Sequence, residues 1–188
     1  MKNLKTIALA LFVATATAVS AQTKKVDVAK SKINWVGKKV TGQHNGTVDL
    51  KEGALVFKGT KLTGGKFTVD MNSISTKDLE AGKGKEKLDG HLKNDDFFGT
   101  DKYPTAVLEF KTIKDKGNNV YGVTADLTIK GKTAPVSFDI AVKGNTATTQ
   151  FNVNRTKYDI KYGSGSFFDN LGDKAINDDF EIDASIVF

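Results

Sequence analysis

Few side chains in this sequence are of types that do chemistry, and they are scattered. The two histidines are His44, within Gln43-His44-Asn45-Gly46, and His91. Asp89, Asp95 and Asp96 lie close to His91 in sequence, and such a set could ligate a divalent cation. A helix-end histidine beside capping and turn aspartates is the simpler account, because oxygen-rich turns are common. No metal is therefore expected. Gly163-Ser164-Gly165-Ser166 carries two hydroxyls but lacks the strand-to-helix setting of a nucleophile elbow. Cysteine is absent, which removes thiolate chemistry and disulfides alike. With no nucleophile–base pair or paired carboxylates in sight, neither an enzyme nor a cofactor is expected.

The elements that would have to position any site are strands. Past residue 22 apolar residues recur with period two between Gly, Asn and Asp turns. Ile33 and Trp35 open the series, and Asn45-Gly46 reads as a hairpin turn. Val48, Leu50, Leu55, Phe57, Phe67, Val69 and Met71 follow. Ala106, Leu108 and Phe110 share a face, as do Tyr121, Val123, Ala125, Leu127 and Ile129. After a turn at Gly131-Lys132 come Val136, Phe138, Ile140 and Val142, and after Gly144-Asn145 come Phe151 and Val153. Phe180, Ile182, Ala184, Ile186 and Phe188 close the chain. About eight or nine strands, apolar on one face, predict an all-β antiparallel up-and-down barrel, whose closure removes exposed edges. One short helical insertion is predicted around 85–92, with Leu88 and Leu92 on one face.

The N-terminus reads as an export signal. Lys2 and Lys5 precede an apolar run over 7–18, and Val19-Ser20-Ala21 offers small residues for cleavage. The run is shorter than the roughly 20 residues a membrane-spanning helix needs. A mature chain of residues 22–188, periplasmic or secreted and without an integral span, is expected. Losing Lys2 and Lys5 lowers the formal charge from +6 to +4. That mild balance, without a Lys/Arg run, argues against nucleic acid as a partner. Monomer or homodimer is left open.

An eight-stranded barrel is just wide enough to fill with side chains or to hold one small ligand, and periodicity does not separate the two. Arg155 continues the inward series Phe151, Val153, unless a turn begins at Asn154-Arg155. A buried guanidinium needs a carboxylate or several acceptors. Two readings follow: a barrel-end arginine with a structural partner, or a cation facing a ligand's head.

Three stretches resemble the YceI-like family, also described as polyisoprenoid-binding. They are His91-Leu92-Lys93-Asn94-Asp95-Asp96-Phe97-Phe98 with Tyr103-Pro104-Thr105-Ala106; Asp126-Leu127-Thr128-Ile129-Lys130-Gly131 with Thr133-Ala134-Pro135-Val136; and Phe151-Asn152-Val153-Asn154-Arg155-Thr156-Lys157-Tyr158. Gly99 departs from the acidic residue common after the paired phenylalanines. The resemblance spans essentially all of the chain from about Lys25. It implies a lipocalin-like barrel whose long apolar pocket takes an amphiphile, such as a polyisoprenoid, isoprenoid quinone or fatty-acid derivative. Trp35, Phe57, Phe67, Val69, Phe110, Leu127, Phe138 and Phe151 are then expected to line the pocket. Phe97 and Phe98 are expected at its mouth, and Arg155 is a candidate for the ligand's head. The rival reading is a small outer-membrane barrel. Its strands would need about 9 to 11 residues and two aromatic girdles, which one Trp and four Tyr do not supply.

Overall fold

The computed structural model describes residues 20–188. All but the last two residues of the export signal expected over 1–21 lie outside the described residues. Nine strands and one helix follow in order: β1 (Ala21–Lys25), β2 (Lys32–Lys39), β3 (Gly42–Lys58), β4 (Lys61–Thr76), α1 (Lys85–Lys93), β5 (Thr105–Asp115), β6 (Val120–Ile129), β7 (Lys132–Lys143), β8 (Thr146–Asn154) and β9 (Ile176–Val187). From β2 to β9 every strand pairs antiparallel with its sequence neighbour, and β9 returns to pair with β2. The result is a closed eight-stranded up-and-down barrel. β1 is an extra strand, paired with the second half of β3 from Ala21↔Lys58 to Lys25↔Ala54.

Alternation builds the wall. Tyr121, Val123, Ala125 and Ile129 of β6 are buried, as are Phe138 and Ile140 of β7. The outer face carries ion pairs such as Lys61–Asp115 at 2.9 Å, Lys66–Glu109 at 3.3 Å and Lys111–Asp126 at 3.6 Å. A bilayer-spanning barrel presents the reverse polarity, apolar outward and polar inward.

The hairpin expected at Asn45-Gly46 is corrected. The turn lies at Val40-Thr41, since Lys39 pairs with Gly42, and Gly46 sits inside β3 opposite Trp35. A Cβ on Gly46 would stand 2.1 Å from the Ser75 carbonyl oxygen and 2.5 Å from the Trp35 ring. The glycine marks a close approach inside a strand rather than a turn. The β6–β7 turn falls one residue earlier than expected, on Lys130-Gly131, with both φ values positive at 50° and 71° as a two-residue hairpin requires.

The two ends differ. One, here the helical end, carries the Val40-Thr41 turn, the segment 77–104 with α1, the Lys130-Gly131 turn and the segment 155–175. Helix α1 is pinned to β4 because Asp89 accepts the Thr76 N–H at 2.6 Å, while Lys85 Nζ bridges the Thr76 carbonyl and Asp89. Leu92 is thereby buried under the barrel end. The far end is sealed by Leu55, Leu62, Tyr121 and the Phe57–Phe188 pair at 5.4 Å.

Two seams interrupt the ring. β4 and β5 pair only over 66–70 and 105–109, and β7 and β8 only over 140–143 and 146–149. Towards the helical end β7 and β8 part around a cleft of about 470 Å³, bordered by Pro135, Ser137, Asn152 and Asn154. Pro135, which has no N–H to offer a neighbour, suits that open edge.

Candidate functional site: an apolar lumen

The barrel encloses a cavity of about 130 Å³. Every strand from β2 to β9 contributes to its wall, and no charged side chain does. Its one hydroxyl, on Thr149, already donates to the Asp139 carbonyl at 2.7 Å. The Trp35 indole N–H likewise turns to the Thr47 carbonyl at 3.3 Å. The lumen thus offers an occupant dispersion contacts and burial, with no free hydrogen-bonding group.

Trp35, Phe67, Val69, Phe98, Phe110, Leu127, Phe138 and Phe151 border this cavity. Four of them form an aromatic course around the wall: Phe67–Phe110 at 5.7 Å, Phe110–Phe138 at 5.9 Å and Phe138–Phe151 at 4.6 Å. Phe110 and Phe138 come from β5 and β7, with β6 between them. They meet because β6 places Ala125, fully buried, in register with Phe110 and Val136. Ala125 is thus a floor beneath the rings rather than part of the cavity surface.

Three of the expected residues do not border the cavity. Phe57 packs on Phe188 in the far-end seal. Phe97 stands behind Phe98, 6.3 Å from it, against His91 at 4.9 Å and Tyr162 at 5.6 Å. Arg155 is 3% exposed and lies in a one-turn 3₁₀ helix, Arg155–Tyr158. Its guanidinium donates to four carbonyls: Asn177 at 2.9 Å, Ile160 at 2.9 Å, Tyr162 at 2.8 Å and Ile176 at 3.0 Å. Asp178 stands 3.6 Å away, so it contributes charge without a hydrogen bond. Burial pushes the Asp178 carboxyl up, but the neighbouring Ser164 and Ser166 hydroxyls and the positive Arg155 hold it below the ordinary carboxylate range. Arg155 therefore ties the segment after β8 to the start of β9, outside the lumen.

The wall also holds residues the site expectation left out, chiefly Met71 and Ile74 of β4 and Phe180, Ile182, Ala184 and Ile186 of β9. The alternation of β9 was plain in the sequence.

The polar clusters do not converge. His91 Nε2 meets Asp96 at 3.0 Å, Asp95 turns to Lys102, and Asp89 is taken up by Thr76 and Lys85. His44 Nδ1 pairs with Asp78 at 2.8 Å. Among the described residues no group of three or more such side chains is placed to hold a metal ion. Ser164 is fully buried, its hydroxyl accepting the Ser166 N–H at 3.2 Å.

Comparison with known proteins matches residues 25–188 to the model of the YceI-like domain. The chain belongs to the YceI-like family. Among solved structures, Burkholderia cenocepacia BcnA is 25% identical, with a TM-score of 0.69 over 87% of this chain and 99% of that one. A polyisoprenoid binding domain from Saccharophagus degradans shares the fold at 13% identity and a TM-score of 0.59, covering 90% and 97%. A UPF0312 protein of Shewanella denitrificans is 35% identical over 86 residues, 46% of this chain and 42% of the relative. One from Pseudomonas putida is 31% identical over 94 residues, 50% and 46%. The aligned part spans less than half the length of these curated relatives.

Proposed function

We propose that this YceI-like barrel is a binding protein rather than an enzyme. Its ligand is a long-chain amphiphile, a polyisoprenoid, isoprenoid quinone or fatty-acid derivative, and its workplace is the periplasm or the exterior of the cell. The observation that carries this reading is the lumen: an uncharged, hydrogen-bond-free cavity inside a wall whose outer face is charged. The Saccharophagus degradans domain, described as polyisoprenoid binding, has the same fold and supports the same ligand class.

Burial supplies the driving force, about 0.8 kcal/mol per CH₂ taken from water. Large ligands retain nearer 0.3 kcal/mol per heavy atom, still enough for tight association. The resting volume of about 130 Å³ is close to the ~150 Å³ of an apolar cavity that admits benzene. A longer chain therefore requires the wall to yield. The two seams are where the ring widens without breaking backbone hydrogen bonds.

Native mass spectrometry of the purified protein, with extraction of co-purifying lipid, tests the reading. A bound chain of amphiphile mass is the expected result. Absence of any lipid, together with failure to take up a fluorescent polyene fatty acid, overturns it.

A further inference from the structure

Exposed apolar side chains are distributed unevenly over this barrel. Among the described residues six large ones stand out into solvent: Val28, Val40, Tyr103, Tyr162, Phe167 and Phe168. All but Val28 lie at the helical end. Phe167 and Phe168, each 51% exposed, sit at the tip of the segment 161–175. Val40, 65% exposed, is joined to that segment by its N–H donating to the Ala175 carbonyl at 3.3 Å.

The segment is built to hold its rings outward. The N–H groups of Phe167 and Phe168 both donate to the Ser164 carbonyl, at 3.1 and 3.0 Å, and the Ser166 hydroxyl reaches Asp178 at the start of β9. Its charges balance, Lys161 and Lys174 against Asp169 and Asp173. The Lys161 ammonium lies 5.0 Å over the Phe167 ring, so this half-exposed ring carries a cation on one face. Aromatic rings with a wet side and an apolar side suit the boundary between lipid headgroups and acyl chains.

This rim is also continuous with the lumen. Tyr162 lies 5.6 Å from Phe97, Phe97 lies 6.3 Å from Phe98, and Phe98 borders the cavity. The opposite end is closed by Phe57 and Phe188, with Lys24 5.1 Å above both rings.

We propose that the segment 161–175 docks on the surface of a lipid bilayer. Phe167 and Phe168 enter among the acyl chains and bring the helical end of the lumen over the hydrocarbon. The inference rests on the reading that the lumen takes an amphiphile, since such a ligand resides in membranes and has to be exchanged at their surface. Balanced local charge makes the attachment apolar, so it holds at high salt and on zwitterionic lipid.

Flotation of residues 22–188 with phosphatidylcholine vesicles tests this, comparing the unaltered sequence, the double variant Phe167→Ser/Phe168→Ser, and Val28→Ser as a far-end control. The unaltered protein and Val28→Ser should float at low and high salt alike, and the double variant should lose about tenfold in partitioning. Uptake of a fluorescent polyene fatty acid from vesicles should slow in proportion in the double variant, while uptake of the same probe dispersed in buffer stays unchanged. Failure of the unaltered protein to float, or equal flotation of the double variant, overturns the proposal. So does a dimer of the unaltered protein in sedimentation that the double variant abolishes, which would assign the rings to a second copy. If flotation depends on the two rings but no variant takes up probe from either source, docking stands and the amphiphile reading of the lumen fails.

Discussion

Phe138 and Phe151 stack at 4.6 Å, 21° from parallel, beside the place where β7 and β8 stop pairing. Inside the barrel the two rings bridge a gap that the backbone leaves open. A charge at this spot would be expelled from the lumen or would take water into it. Phe138→Asp should therefore abolish lipid co-purification and probe uptake. Circular dichroism on the same sample must show the strand signal retained, and uptake by a folded variant would refute the assignment of the lumen as the binding site.

Filling the cavity without adding charge is the gentler test. Ala106 and Ala184 border the cavity and face it from β5 and β9. Ala125 does not, and a large side chain there would drive Phe110 and Phe138 apart. Ala184→Leu should keep the fold at a cost of about 1–3 kcal/mol from overpacking. It should also shift the preferred ligand to shorter chains, read by competition among fatty acids of graded length. Unchanged length preference would count against a chain lying along β9.

Arg155 serves two stretches of chain at once, through the carbonyls of Ile160 and Tyr162 and of Ile176 and Asn177. Removing it strands those acceptors and leaves Asp178 without its cation. Arg155→Ala should cost roughly 3–5 kcal/mol in urea unfolding. Arg155→Lys should recover little, because a compact ammonium cannot reproduce the planar fork. Probe uptake by the folded fraction should survive, since the guanidinium lies outside the lumen. Lost uptake at undiminished stability would instead make Arg155 a contact to the ligand's head.

Tyr158 is fully buried, and among the described residues its hydroxyl finds no hydrogen-bond partner. Burial pushes its pKa up to about 12. The folded protein then holds this proton more tightly than the unfolded chain, whose tyrosines titrate near 10. Stability is accordingly full below pH 10 and falls as the pH rises from there towards 12. Tyr158→Phe should be neutral, or stabilising by about 1 kcal/mol, at pH 7. It should also flatten the alkaline loss seen in urea midpoints between pH 9 and pH 12. Marked destabilisation at neutral pH would show that the hydroxyl has a partner after all.

Gly46→Ala should be severe for a change of one methyl group, because the new Cβ would collide with the Ser75 carbonyl and the Trp35 ring. A loss of about 2–4 kcal/mol is expected, measured by the same unfolding assay. Near-neutral behaviour would mean that β3 and β4 can move apart at the lumen wall.

Strand count, closure and the helix were legible because each rests on a repeating signal. Alternation marked the inward faces, and Leu88 with Leu92 marked α1. Gly46 lies inside a strand where its sequence suggests a turn, because a glycine needed for close approach looks the same, in sequence, as one needed for a turn. Phe57 follows the inward pattern yet does not border the cavity. Facing inward fixes a direction, whereas reaching the cavity depends on height along the barrel, which is set by stagger between strands. Arg155 was legible as buried, but its four carbonyl partners arise from loops whose conformation has no periodic trace.

The pairing of β2 with β9 carries a kinetic consequence. Asn34 and Asp183, hydrogen-bonded at 3.3 Å, are 149 residues apart in the chain. Hairpins along the meander can form early from local contacts, but this last seam must pay the loop entropy of nearly the whole domain. The lumen comes into being only when that seam zips. A molecule that fits the lumen therefore cannot hasten the search that builds it. It can only hold the ring shut afterwards, slowing unfolding while leaving the folding rate as it was.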